Sequence, residues 1–116
     1  LMGAVQIAAL AEGIALCEKL GLDTETVIES IETSAAASPQ VIRYTRRMAE
    51  KKFLQDPSFT TTLRHKDALY ALALAKDAGF AAKLGTVATQ WFAEAGQHYK
   101  NMDEAIVIDI IKAGNE

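Results

Sequence analysis

The sequence predicts an all-α fold of about six helices. Apolar residues recur at intervals of three and four, and strict alternation is absent over any run long enough to form a strand. Prolines occur only at positions 39 and 57, where the helical pattern breaks. A chain of 116 residues has the length of one domain with a single core. Residues 1–116 are therefore predicted to form one bundle that begins with a long apolar helix.

The first three helices are predicted from their capping residues. The first runs from the start of the chain to about Leu20, and Gly21 closes it in a left-handed conformation. Asp23 or Thr24 caps a second helix that extends to Ile31. The dipeptide Ser38-Pro39 then combines a good cap with a proline at the first helical position, so a third helix is expected to reach about Lys51.

The second half of the chain predicts three more helices after a turn. Asp56-Pro57-Ser58 has the composition of that turn. The expected helices are Thr60 to Ala78, closed by Gly79, then Gly85 to His98, and Met102 to Lys112.

The first helix has almost no polar face, and such a helix is normally surrounded by other helices. These could belong to the same chain or to a second copy. Glu12 lies in this apolar context, where an ionised carboxylate needs a partner. The chain enters the helix at Leu1 with neither a cap nor an initiator methionine, so we expect the natural protein to continue upstream.

Composition argues against several classes of function. A net charge of −3 gives no electrostatic reason to bind nucleic acid or an anionic membrane. The single cysteine, Cys17, excludes an internal disulfide and a cysteine-based zinc site, which favours the cytosol. His65 and His98 have no metal-ligand spacing, so no metal is expected.

The run from Ala8 to Asp23 resembles the start of the C-terminal domain in the 3-hydroxyisobutyrate dehydrogenase family of β-hydroxyacid dehydrogenases. This chain has Ala-Glu-Gly-Ile-Ala in an alanine-rich helix and then Glu-Lys-Leu-Gly-Leu-Asp, where the family has Ala-Glu-Ala-aliphatic-Ala and then Glu-Lys-x-Gly-aliphatic-Asp. Further residues match in the family's order. They are Ser38, Arg47-Met48, Phe53, Phe59, Lys66-Asp67 and Asp103. The most specific part is Phe59 followed by Lys66-Asp67.

The resemblance implies a domain like the C-terminal domain of 6-phosphogluconate dehydrogenase. It also implies an NAD- or NADP-dependent oxidoreductase that interconverts a short β-hydroxy acid and its semialdehyde, as a homodimer or higher homo-oligomer. In the family, a Rossmann domain and a catalytic lysine come first. The chain has no Gly-x-Gly-x-x-Gly motif. We therefore expect the lysine upstream of Leu1, and no catalytic residue or activity in this chain alone.

The resemblance also implies roles for three residues. Lys66 is expected to contact the cofactor, while Phe59 and Asp67 border the substrate. The simpler interpretation makes Lys66 and Asp67 ordinary surface residues and Phe59 an apolar anchor. Ser38 is better explained as a helix cap. His65 and His98 are expected to be surface or packing residues, whereas Trp91 and Phe92 are expected in the core or in a contact between subunits.

Two other functions fit the same sequence. One is a non-enzymatic helical domain that serves only dimerisation through its first helix. The other is the C-terminal domain of an imine reductase-like relative. The sequence of this chain selects neither the particular hydroxy acid nor NAD over NADP, because the residues that sort them belong mostly to the family's N-terminal domain.

Overall fold

The computed structural model describes residues 1–53, 57 and 59–116, and these form six α-helices, a 3₁₀ turn and no β-strand. The predicted all-α fold is confirmed. The helices are α1 (Met2–Lys19), α2 (Thr24–Glu32), α3 (Pro39–Ala49), α4 (Thr61–Asp77), α5 (Lys83–His98) and α6 (Val107–Ala113), and the 3₁₀ turn is Glu104–Ile106.

Helix α1 forms the middle of the bundle, because α3, α5 and α6 all pack against it. Its buried side carries small and branched side chains that allow close approach: Ala4, Ile7, Ala8, Leu10, Ala11 and Ile14. The opposite side is open to solvent at Ala9, Glu12, Gly13 and Leu16. Within one chain, α1 is therefore covered on one side only.

The expectation that Glu12 needs a protein partner was wrong. Glu12 lies on the open side of α1 and is exposed, so water can solvate its carboxylate. The apolar neighbours in its sequence occupy the other side of the helix. Sequence composition alone does not reveal which side of α1 its neighbours cover.

The core contains large side chains from several helices, including Tyr44 and Met48 of α3 and Phe92 of α5. Phe92 is fully buried and Trp91 packs against the core from a half-buried position, as expected for core residues. Helix α4 packs chiefly on α5 and on the 3₁₀ turn. Its outer face exposes the apolar side chains of Leu63, Tyr70 and Leu74.

The predicted caps Asp23 and Ser38 are confirmed, and Thr60, which was predicted as the first residue of its helix, caps α4 in the same way. Asp23, Ser38 and Thr60 each accept a hydrogen bond from the backbone N–H three residues further on, at 3.0, 3.1 and 3.2 Å. The Thr26 hydroxyl also donates to Asp23, and this bond, together with the one from the Thr26 N–H, lowers the pKa of the Asp23 carboxyl group. Gly21 and Gly79 end α1 and α4 with φ of +71° and +70°, a conformation that glycine adopts without the steric cost of a Cβ.

Three predicted helix boundaries were wrong by a few residues. Helix α3 ends at Ala49 because Lys51 adopts a left-handed φ of 57°. Helix α5 begins at Lys83, two residues before the predicted Gly85. The last helix does not begin at Met102, because the side chain of Asp103 caps the 3₁₀ turn that precedes α6. Of the predicted turn Asp56-Pro57-Ser58, the first and last residues lie outside the described residues.

Replacing Ser38 with alanine tests its role as a cap. We expect Ser38→Ala to lower the free energy of unfolding by about 1 kcal/mol, because the N–H of Val41 loses its acceptor. Urea unfolding followed by circular dichroism measures this change. Ser30→Ala is the matched control on the exposed surface of α2 and should not destabilise. Equal losses in both variants would contradict the assignment.

Candidate functional site

The beginning of α4 is attached to the segment that precedes α6. The N–H of Glu104 donates to the carbonyl of Phe59 at 2.8 Å, and the N–H of Thr61 donates to the carbonyl of Met102 at 3.0 Å. The Thr61 hydroxyl also donates to the carbonyl of Tyr99 at 2.9 Å. These bonds fix Phe59 and the first turn of α4 against a segment about 40 residues later in the chain.

Two adjacent carboxylates are completely buried at this junction. Asp103 and Glu104 have no exposed side-chain surface, and each pairs with an arginine. Arg47 of α3 binds Asp103 at 2.6 Å, and Arg64 of α4 binds Glu104 at 2.5 Å. A buried charge requires such a partner, so the two pairs bring α3, α4 and the 3₁₀ turn together.

Arg64 makes the most extensive contacts of the cluster. Its Nε and a terminal nitrogen donate to the two carboxylate oxygens of Glu104 at 2.5 and 3.2 Å. The guanidinium also lies 4.6 Å from the centre of the Phe59 ring, within cation–π range. Burial opposes the charge of Arg64, but the hydrogen bonds and charge of Glu104 outweigh it and raise the pKa of the guanidinium.

Tyr44 completes the cluster from α3. Its side chain is buried, and its hydroxyl hydrogen-bonds to Glu104. Burial raises the pKa of the phenol, and the hydrogen bond to Glu104 and the nearby negative charges raise it further. The guanidinium of Arg47 lies 5.9 Å from the Tyr44 ring. The result is a buried network in which each ionised group faces an opposite charge or a hydrogen-bond donor.

The three predicted site residues lie around the first half of α4. Phe59 is half-buried against Arg64, whereas Lys66 and Asp67 are exposed. The charge of Asp67 acts on Arg64, which lies one helical turn earlier. Lys66 turns to the neighbouring side of the helix, where its ammonium lies 5.9 Å from the Tyr70 ring. Arg64 thus contacts the Phe59 ring, while Lys66 and Asp67 lie exposed on the same helix within one turn of Arg64.

This group of side chains lies next to the start of α1. A Cβ atom placed on Gly3 would lie only 2.7 Å from a terminal nitrogen of Arg64. The carbonyl of Gly3 also accepts a hydrogen bond from the Gln40 side chain at 3.0 Å. The amino-terminal end of α1 and the beginning of α4 are therefore in direct contact through Arg64.

Two surface grooves are formed by other residues. One is lined mainly by apolar side chains, and the other by apolar and charged side chains. One, of about 380 Å³, is formed by the start of α1 and the loop between α4 and α5, and includes Leu1, Met2, Val5, Phe80 and Leu84. The other, of about 590 Å³, lies between the end of α1 and α6. Neither groove is lined by Phe59, Lys66 or Asp67.

Sequence reasoning missed Arg64, Glu104 and Tyr44. The signal available was the pair of acids at 103–104, directly before the apolar run 105–108, since acids in such a context need cationic partners.

The other candidate residues have structural positions. Ser38 serves as the predicted cap. His65 is half-buried and His98 is exposed beside Tyr99. Within residues 1–53, 57 and 59–116, no cluster of three potential metal ligands occurs.

Solved structures show where this arrangement of helices recurs. The 3-hydroxyisobutyrate dehydrogenase of Salmonella typhimurium matches 94% of this chain with a TM-score of 0.87 and 23% identity. The 3-hydroxyisobutyrate dehydrogenase of Mycobacterium tuberculosis, solved with L-serine, matches 94% with a TM-score of 0.83 and 28% identity. The chain covers 38% and 39% of these two proteins. No match was found among curated protein sequences.

These similarities define an all-α domain like the C-terminal domain of 6-phosphogluconate dehydrogenase. Residues 1–111 match the profile of a family described as the NAD-binding domain of NADP-dependent 3-hydroxyisobutyrate dehydrogenase. The chain belongs to this family. Among the described helices, none combines the length and apolar character that a bilayer-spanning segment requires.

Removing the buried carboxylate of Glu104 tests the charge network. We expect Glu104→Ala to lower the free energy of unfolding by about 3–5 kcal/mol, because Arg64 would remain buried without its partner. Chemical denaturation measures the loss. The control Glu25→Ala removes an exposed partner of Arg46 and should cost less than about 1 kcal/mol. A small loss at Glu104 would show that its pair contributes little.

Alkaline titration tests the environment of Tyr44. Its pKa is raised in the folded state, so the associated stability is complete below the ordinary tyrosine pKa of about 10 and is lost as the pH rises further. We expect one of the three tyrosines to form phenolate only above that pH, with unfolding. Ultraviolet absorbance and circular dichroism follow the two events. Tyr44→Phe should remove this late step, and its persistence would assign it to another tyrosine.

Proposed function

We propose that this chain is the C-terminal domain of an NAD(P)-dependent dehydrogenase that interconverts a short β-hydroxy acid and its semialdehyde. The family match over residues 1–111 carries the proposal. The contact of Arg64 with both Phe59 and the start of α1 supports it, because it places the beginning of α4, which carries Lys66 and Asp67, next to the amino-terminal end of α1. A dinucleotide bound by one domain needs a second domain to cover the nicotinamide and exclude water.

Each site residue has a chemistry suited to this role. NAD(P) supplies the hydride acceptor when bound. The exposed ammonium of Lys66 can donate hydrogen bonds to cofactor oxygens or favour a developing alkoxide. The exposed carboxylate of Asp67 and the half-buried ring of Phe59 can orient the polar and apolar parts of a short hydroxy acid. Lys66 and Asp67 are free to contact a second domain because this chain does not cover them.

Two further properties belong to the same proposal. The catalytic lysine is supplied from before Leu1, so the 116-residue chain alone does not turn over substrate. The protein acts as a homodimer or higher homo-oligomer in the cytosol. The open side of α1, with Ala9, Gly13 and Leu16, offers the small and apolar surface that a second copy could cover.

Substitutions at the Lys-Asp pair test the proposal in the complete dehydrogenase. We expect Asp67→Asn to lower kcat/KM for the hydroxy acid at least about tenfold, since one charged hydrogen bond to substrate is lost. Lys66→Met should raise the KM for NAD(P) by a similar factor. Steady-state kinetics with each substrate varied in turn measures both effects.

The same helix provides a matched control. Lys76 and Asp77 repeat the dipeptide near the end of α4 and are also exposed, so Lys76→Met and Asp77→Asn should leave both constants within about twofold. Equal effects at the two pairs would contradict the assigned roles. A domain that serves only dimerisation would show no NAD(P)-dependent turnover in any form of the complete protein.

A further inference from the structure

We propose that Arg64 is a positioning residue, which holds Phe59 and Asp67 at a fixed place relative to the first turn of α1. The effect of Arg64 on turnover rests on the proposed function. Its effect on the relative position of α4 and α1 does not depend on that function. Arg64 is not among the residues that the family resemblance assigns to the site, and the inference rests on its contacts with Glu104, Phe59 and Gly3.

The guanidinium is anchored by the buried carboxylate of Glu104. Glu104 holds it through two hydrogen bonds, and a bidentate pair fixes orientation as well as distance. Glu104 is itself immobilised, because its N–H donates to the Phe59 carbonyl and its carboxylate bonds to the Tyr44 hydroxyl. Arg64 therefore projects from a completely buried support, with only 15% of its own side chain exposed.

The rest of the guanidinium lies against the Phe59 ring and the first turn of α1. The Phe59 ring lies 4.6 Å from its central carbon, and the charge of Asp67 acts on it from the next turn of α4. A terminal nitrogen occupies the space above Gly3, where a Cβ would lie 2.7 Å away. Because Gly3 has no side chain, Arg64 can lie directly on α1. One rigid planar group thus touches both helices and the ring.

Arginine suits this task better than other residues. Its planar fork can bind a carboxylate with one edge and lie against an aromatic ring at the same time. A lysine in the same place would keep the positive charge but offer a single point of contact. A small displacement of positioned groups can change turnover a hundredfold in enzymes, so loss of this support should be visible in kinetics.

A double variant separates positioning from stability. Replacing a buried ion pair with apolar residues of similar size is often neutral for stability, so Arg64→Met with Glu104→Met should fold with a Tm near that of the unmodified protein. In the complete dehydrogenase we expect kcat/KM for the hydroxy acid to fall at least about tenfold in this variant although its Tm is kept. Arg46→Met is the matched control, since the Arg46 side chain is 48% exposed and its ion pairs among the described residues join surface elements away from Arg64.

The conservative variant Arg64→Lys gives an independent reading if the double variant does not fold. It keeps the charge that Glu104 needs, and we expect a smaller but measurable loss in kcat/KM. Wild-type kcat/KM in a folded double variant, or in Arg64→Lys alone, would overturn the proposal. A loss shared by Arg46→Met would overturn it as well, because it would show a general effect of removing an arginine.

A measurement on the 116-residue chain distinguishes failure of the inference from failure of the proposed function. Residual dipolar couplings in solution report the orientation of α4 relative to α1. We expect the double variant to change this orientation and the chemical shifts of Gly3, Phe59 and Asp67, whereas Arg46→Met changes neither. An unchanged orientation overturns the positioning role. If the complete protein oxidises no hydroxy acid, the proposed function fails, and these couplings still decide the role of Arg64.

Discussion

The burial of two adjacent carboxylates constrains the rest of this domain. Asp103 and Glu104 have no access to solvent, so the fold must bring a cation to each of them. The cations come from two different helices, Arg47 from α3 and Arg64 from α4. Satisfying the two acids therefore sets the relative position of both helices and of the segment that leads into α6. The candidate site is built on this junction.

The same junction fixes the position of the helix that carries Lys66 and Asp67, although these two residues of the proposed site are exposed. Lys66 and Asp67 point away from the core, and such side chains are normally free to move. Their helix, however, is held at its first turn by hydrogen bonds from Thr61 and by the bidentate contact of Arg64. A rigid support below an exposed pair gives a surface that a separate domain can meet in a defined orientation.

Much of the fold could be predicted from local signals. Ser38-Pro39, Asp23 and Gly21 act on neighbouring backbone groups, so their sequence context was enough to place the helix ends. The partners of Asp103 and Glu104 are 56 and 40 residues away, and no local pattern connects them. Likewise, the apolar composition of α1 could not show that one of its sides stays open. Phe59, Lys66 and Asp67 were found through the family resemblance, whereas Arg64 emerged only from contacts across the fold.

The long separation between the partners in the charge network also bears on the order in which the domain assembles. Helices α4 and α5 are neighbours in sequence and pack against each other, so they can associate while the end of the chain is still being synthesised. Phe59 and Arg64 reach their final environment only when residues 99–104 arrive, because that segment supplies their hydrogen-bond partners. The first turn of α4 therefore reaches its final environment about 40 residues of synthesis after it is made, when α5 is already available to pack against α4.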